Sequence, residues 1–107
     1  MNAYPMRGQV FYADVGDGDK PFLVVSNNRR NQVFGDFLVV RMTTTPEEKI
    51  PEVASVVETG PGDPLVGRIR CDDIVLMYRD ELKREAGALT RTTMQRVAAG
   101  LMHALAI

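Results

Sequence analysis

The sequence predicts a small, mainly β barrel with one C-terminal helix packed on it. Three observations predict this. Short apolar runs with strand-like alternation fill the first three-quarters of the chain, clusters of Gly, Asp and Pro punctuate them, and only the last stretch has helical periodicity. The chain has 107 residues, which fits a single domain spanning 1–107.

Gln9 to Val15 reads as the first strand, with Phe11, Ala13 and Val15 on one face and Val10, Tyr12 and Asp14 on the other. Gly16-Asp17-Gly18-Asp19 is a turn, because glycine and aspartate tolerate the backbone angles a turn demands. Pro21 opens the next strand, and Phe22-Leu23-Val24-Val25 is apolar on both faces, as a central strand must be. Ser26 to Gly35 is polar, carries three asparagines and reads as a long loop with room for one helical turn. Phe37 to Thr43 is a third strand, with Leu38, Val40 and Met42 opposite Phe37, Val39, Arg41 and Thr43. Thr44 to Pro51 is a polar excursion in which Glu47-Glu48 reads as a solvated charge pair. Val53 to Glu58 is a fourth strand, Gly60 to Pro64 a turn cluster, and Leu65 to Met77 one long bent strand or two short ones. Met94, Val97, Ala98, Leu101, Met102 and Leu105 then form one helical stripe behind Thr90 as N-cap. Gly100 inside that helix costs about 1 kcal/mol relative to alanine.

Composition excludes several classes of function. Hydrophobic residues at 45% and charged residues at 25% describe a globular chain rather than a disordered one. The single cysteine, Cys71, forbids an intramolecular disulfide, which fits a reducing compartment such as the cytoplasm. Met1 to Gly8 lacks a signal-peptide core, and Phe22 to Val25 is far too short to cross a bilayer. A net charge of −1 rules out gripping nucleic acid through bulk basicity, but leaves room for a local basic cleft. Arg29-Arg30 and the pair Arg68 and Arg70 are the candidates. His103 is the only histidine, so no two-histidine ribonuclease mechanism is available. No Cys/His cluster has zinc spacing, and no cofactor is expected.

Arg7-Gly8-Gln9-Val10 followed by Tyr12-Ala13-Asp14, the stretch Pro21 to Asn27, the strand end Val39-Val40-Arg41-Met42-Thr43 and the triplet Arg70-Cys71-Asp72 occur in one order. Together they resemble the MazF/PemK (Kid) family of type II toxins, and Leu82, Leu89, Met94 and Val97 continue the match into the final helix. The resemblance implies an SH3-like barrel, a homodimer and a cognate antitoxin with a disordered, often acidic tail. It also implies cleavage of single-stranded RNA to a 2′,3′-cyclic phosphate and a 5′-hydroxyl.

RNA can be cut without a metal because its own 2′-OH is the nucleophile. The protein must accept that proton, protonate the leaving 5′-oxygen and stabilise charge on phosphorus. Arg70 and Asp72, two apart on a strand, share a face with Arg68, while Ile69 and Cys71 point into the core. A carboxylate beside two guanidiniums can serve as base and acid or clamp, although the arginines lower its pKa. A surface ion pair is the plain alternative. Thr43 is expected to hydrogen-bond a non-bridging phosphate oxygen, and Lys20 stands where the family often has an arginine. These four form the expected catalytic set, with Arg68, Arg41, Arg29, Arg30 and Asn27 as expected RNA contacts. An acidic antitoxin segment is expected across the cleft of Lys20, Arg68 and Arg70. Phe34, Phe37, Val39, Leu105 and Ile107 are the expected dimer surface.

Two other readings stay open. A CcdB-like gyrase poison shares the fold, but that family acts through a C-terminal Trp-Gly-Ile, and this chain has no tryptophan and ends Ala104-Leu105-Ala106-Ile107. A non-catalytic RNA-binding barrel would bind without product.

Overall fold

The computed structural model describes residues 4–46 and 48–107. Glu47, half of the expected charge pair, lies outside the described residues. The elements run β1 (Gln9–Asp14), β2 (Asp19–Val24), α1 (Asn28–Phe34), β3 (Asp36–Thr43), β4 (Val56–Glu58), β5 (Arg68–Tyr78), a 3-10 turn (Arg79–Glu81), β6 (Leu82–Ala88) and α2 (Arg91–Leu105). The strands make one six-stranded sheet in the order β4-β5-β3-β2-β1-β6, antiparallel at every pairing.

The doubly apolar run of β2 is central, between β1 and β3. Its Leu23, with Val25 beyond its end, joins Val10, Val40, Met42, Ile69, Cys71 and Val97 in one core beneath α2. Phe22 and Val24 point the other way into a second core with Ala13, Phe37, Val39 and Met77. Val75 of β5 and Leu82 of β6 both pack on that second core although three strands lie between them, so the sheet curls over itself. Thr90 caps α2, accepting from the Thr93 amide at 3.2 Å. Gly100 has a reason to interrupt the helix. A Cβ there would lie 2.9 Å from Cys71 Sγ and 3.0 Å from a Val57 methyl, so only glycine lets α2 approach the sheet this closely.

Several boundaries differ from expectation. The Ser26–Gly35 loop contains a true helix, α1, capped by Asn27 and closed by Gly35 at φ 74°. It is pinned by buried Asn31, which donates to the carbonyls of Pro5 and Ser26 and accepts from Ser26 Oγ. Pro21 lies inside β2 rather than opening it. It is tolerated because β2 pairs with β3 only from Phe22 onward. Of Val53–Glu58 only the last three residues pair with β5, and Val53 is exposed. The unexpected element is β6. Leu-Lys-Arg-Glu-Ala-Gly-Ala shows no alternation because β6 is an edge strand, bulged twice against β1, whose charges discourage pairing with another chain. Phe37 and Val39, expected at a dimer surface, are instead buried in the second core, whereas Phe34, Leu105 and Ile107 are exposed.

Candidate active site

The site forms where β3 ends. Alternation on β5 buries Ile69 and Cys71 and turns Arg68, Arg70 and Asp72 to the opposite face. Register then sets Arg68 opposite Thr43 and Arg70 opposite Arg41. The β3–β5 ladder slips between Val40 and Arg41, from Ile74 to Arg70, so Cys71, Asp72 and Asp73 bulge out of the pairing. That bulge directs the Asp72 carboxylate back to Arg70, which donates to it twice, at 3.0 and 2.7 Å. The bidentate contact with Arg70 holds the Asp72 carboxyl below its usual range, and the Asp72 contact raises the already high Arg70 pKa. Neither partner is then well matched to proton transfer near neutral pH.

Lys20, Tyr12, Arg41, Thr43 and Glu48 line a narrow cavity of about 100 Å³ at the end of the sheet. Thr43 also lines a wider neighbouring cleft of about 440 Å³ with Thr59, Gly67 and Arg68, large enough for a nucleotide. Thr43 is 7% exposed, and its hydroxyl donates to Glu48 Oε2 at 2.5 Å. The Arg68 guanidinium donates to the backbone carbonyls of Thr45 and Glu48, fastening the loop after β3 across the site. Arg41 pairs with Asp17 at 2.7 Å. Asp17 is held there because Asp14 accepts from the Gly16 and Gly18 amides, contacts that draw the Asp14 carboxyl below its usual range. Gly67 permits the close packing of this corner, since a Cβ on it would fall 2.2 Å from the Thr43 carbonyl oxygen.

Lys20, Arg41, Thr43, Arg68, Arg70 and Asp72 are thus brought to one region, from three strands. Asn27, Arg29 and Arg30 are not. They sit on or beside α1, at the opposite end of β3, seven residues or roughly 23 Å of strand from Thr43. Asn27 caps the helix, and Arg30 is bound to Asp36 and stacked on Phe34. Cys71 is a buried thiol whose pKa burial pushes up to about 11, unsuited to nucleophilic chemistry. His103 is exposed on α2. Sequence reasoning missed Glu48, Asp17 and Gly67 as parts of the site. The available signal was an acidic loop, flanked by Pro46 and Pro51, directly after the strand-ending threonine.

Residues 6–105 match the family described as the PemK-like, MazF-like toxin of type II toxin-antitoxin systems. The chain belongs to the PemK/MazF toxin family. It is 44% identical over 107 residues to Endoribonuclease MazF1 of Mycobacterium bovis and to Endoribonuclease MazF4 of Mycobacterium tuberculosis, covering all of this chain and 97% of each relative. Among solved structures it resembles a mycobacterial endoribonuclease in complex with its cognate antitoxin, with a TM-score of 0.89 and 41% identity over 96% of both chains. A Deinococcus radiodurans MazE–MazF structure shares the fold at a TM-score of 0.77 and 18% identity, covering 99% of both chains. No helix among the described residues is long and apolar enough to cross a membrane.

Proposed function

We propose that the chain is a toxin endoribonuclease that cuts single-stranded RNA by attack of the 2′-OH, without a metal. The products would be a 2′,3′-cyclic phosphate and a 5′-hydroxyl. Beyond family membership, one observation carries the reading. Cationic side chains from three strands converge on a single buried threonine, beside a cleft of nucleotide size. Arg70, oriented by Asp72, faces the phosphorus as charge accumulates on it, and Lys20 supplies a proton to the leaving 5′-oxygen. Arg41 holds a flanking phosphate once RNA displaces Asp17, and Arg68 adds positive charge to the cleft while keeping its bonds to the loop carbonyls. No protein nucleophile is needed because the nucleophile belongs to the substrate, and the cations stabilise the charge that gathers on phosphorus. Incubation of single-stranded RNA in EDTA, with end analysis of the fragments, tests the reading. Cyclic-phosphate ends formed in chelator support it. Activity that disappears with chelator and returns with magnesium would contradict it.

The working form is proposed to be a homodimer restrained by an antitoxin. Ile74, Leu76 and Tyr78 on β5 and Phe34 at the end of α1 are exposed, and such apolar surface invites a second copy. Light scattering that gave a monomer at micromolar concentration would remove this part. The antitoxin segment is expected to be acidic and unfolded, laying carboxylates against Lys20, Arg68 and Arg70 where phosphates would otherwise sit.

A further inference from the structure

The geometry points to Thr43 and Glu48 as the pair that removes the proton from the attacking 2′-OH. The inference rests on the ribonuclease reading above and names the base that reading leaves unassigned. A threonine hydroxyl has one proton, and here that proton is given to Glu48 Oε2 at 2.5 Å. A long contact from the Thr45 amide, at 3.4 Å, reaches the same oxygen. What Thr43 can still offer a ligand in the cleft is a lone pair. Phosphate oxygens only accept hydrogen bonds, so they are poor partners for it, whereas the 2′-OH beside the scissile phosphate is a donor.

Glu48 is held for this purpose. Arg68, directly opposite Thr43 in the sheet, donates to the Glu48 carbonyl at 2.6 Å and so fixes the backbone that carries the carboxylate. Asp72, the carboxylate expected from sequence, has both oxygens engaged by Arg70. A hydroxyl backed by a base is the usual arrangement for activating a weak acid.

In the step itself the 2′-OH gives its proton to Thr43 Oγ1 while the Thr43 proton passes to Glu48 Oε2. The 2′-oxygen forms its bond to phosphorus and the bond from phosphorus to the 5′-oxygen breaks. The leaving oxygen takes a proton from the Lys20 ammonium, which lines the narrow cavity of about 100 Å³ with Thr43 and Glu48. Glu48 then releases its proton to solvent and Lys20 recovers one, so no net charge or electron is transferred.

Glu48→Gln, which keeps shape and removes basicity, is expected to lower kcat by about 10²–10⁴-fold. Its Kd for RNA carrying a 2′-deoxy residue at the cleavage position should stay within about twofold of the parent, a ΔΔG of roughly 0.4 kcal/mol. Thr43→Val should fall as far as Glu48→Gln, and the double variant should be no slower than either, because the two act as one unit. Thr43→Ser should keep most of the rate, and formate should partly restore Glu48→Ala. Cleavage by Glu48→Gln at the parental rate or faster, or tighter RNA binding by it, overturns the inference and makes Glu48 a carboxylate that merely blocks the site. Failure of the ribonuclease reading would look different, since the parent protein itself would then leave RNA intact.

Discussion

β3 has an arginine-bearing polar cluster at each end, and the two are built on opposite plans. At the α1 end the contacts of Asn27 and Arg30 are local. Arg30 binds Asp36 six residues away and stacks on Phe34, and Asn27 caps the helix that begins with the next residue. At the Thr43 end the contributors come from far apart in sequence, on β2, β3 and β5, and meet only because the sheet registers them. One present partner, the Asp17 carboxylate on Arg41, can be exchanged for a phosphate, while the Arg68 bond to the Glu48 carbonyl ties the loop to the sheet. Local contacts stabilise an element. Convergent contacts around a cleft build a site. Both clusters read alike in the sequence.

The contrast can be broken by substitution. Outside the Thr43–Glu48 pair, the largest effect is expected from Arg70→Ala and Asp72→Asn, each lowering RNA cleavage by about 10²–10³-fold with the fold intact, measured by initial rates and a thermal melt. Equal rates in both variants and the parent would return this pair to the status of an ordinary surface ion pair. Thr43→Ala should reduce turnover by about 10²-fold while RNA affinity falls less than about tenfold, because its role belongs to the reacting state. A pure loss of binding with normal turnover would contradict that. Arg68→Glu should weaken RNA and antitoxin alike, and the affinities of the parent for both should drop as salt rises, since such pairing is screened over about 8–10 Å. Arg30→Ala should cost at most about 1 kcal/mol of stability and leave cleavage close to parental. A deep loss of cleavage there would erase the distinction between the two ends.

A still smaller effect lies in acid. Asp63, in the β4–β5 connection, ties that connection to the start of α2. Burial pushes its carboxyl up, but donors from Gly60, Thr90 and Thr93 outweigh this and hold it below the ordinary value of 3.8. A carboxyl depressed in the folded state adds stability that is present above its unfolded pKa and is lost as pH falls through the folded value. Asp63→Asn should therefore be less stable than the parent near neutral pH, and the gap should narrow as pH falls below 3.8 toward the lowered folded value, read by melting temperature against pH.

Much of the fold was legible because it rests on periodicity. The doubly apolar β2, the alternation that buries Ile69 and Cys71 between Arg68, Arg70 and Asp72, and the Thr90 cap all follow from local pattern. β6 was illegible because an edge strand with one half-buried face needs no apolar alternation. α1 was legible only as room for one helical turn, because its anchor is a buried asparagine, a residue that sequence places in loops. Within the site, Arg70 and Asp72 were legible as neighbours on one strand face. Glu48 was not, because its meeting with Thr43 depends on how a proline-flanked loop folds back and on Arg68 reaching across from β5 to hold it.

The central claim is that the substrate supplies its own nucleophile at the Thr43 cleft. It is tested most directly with two oligoribonucleotides of one cleavable sequence, identical except for a 2′-deoxy residue on the 5′ side of the cut, incubated with the protein in EDTA. The account predicts that the all-ribose strand is cut to cyclic-phosphate ends while the deoxy strand binds with similar affinity and stays whole. Cleavage of the deoxy strand at the same position would contradict it.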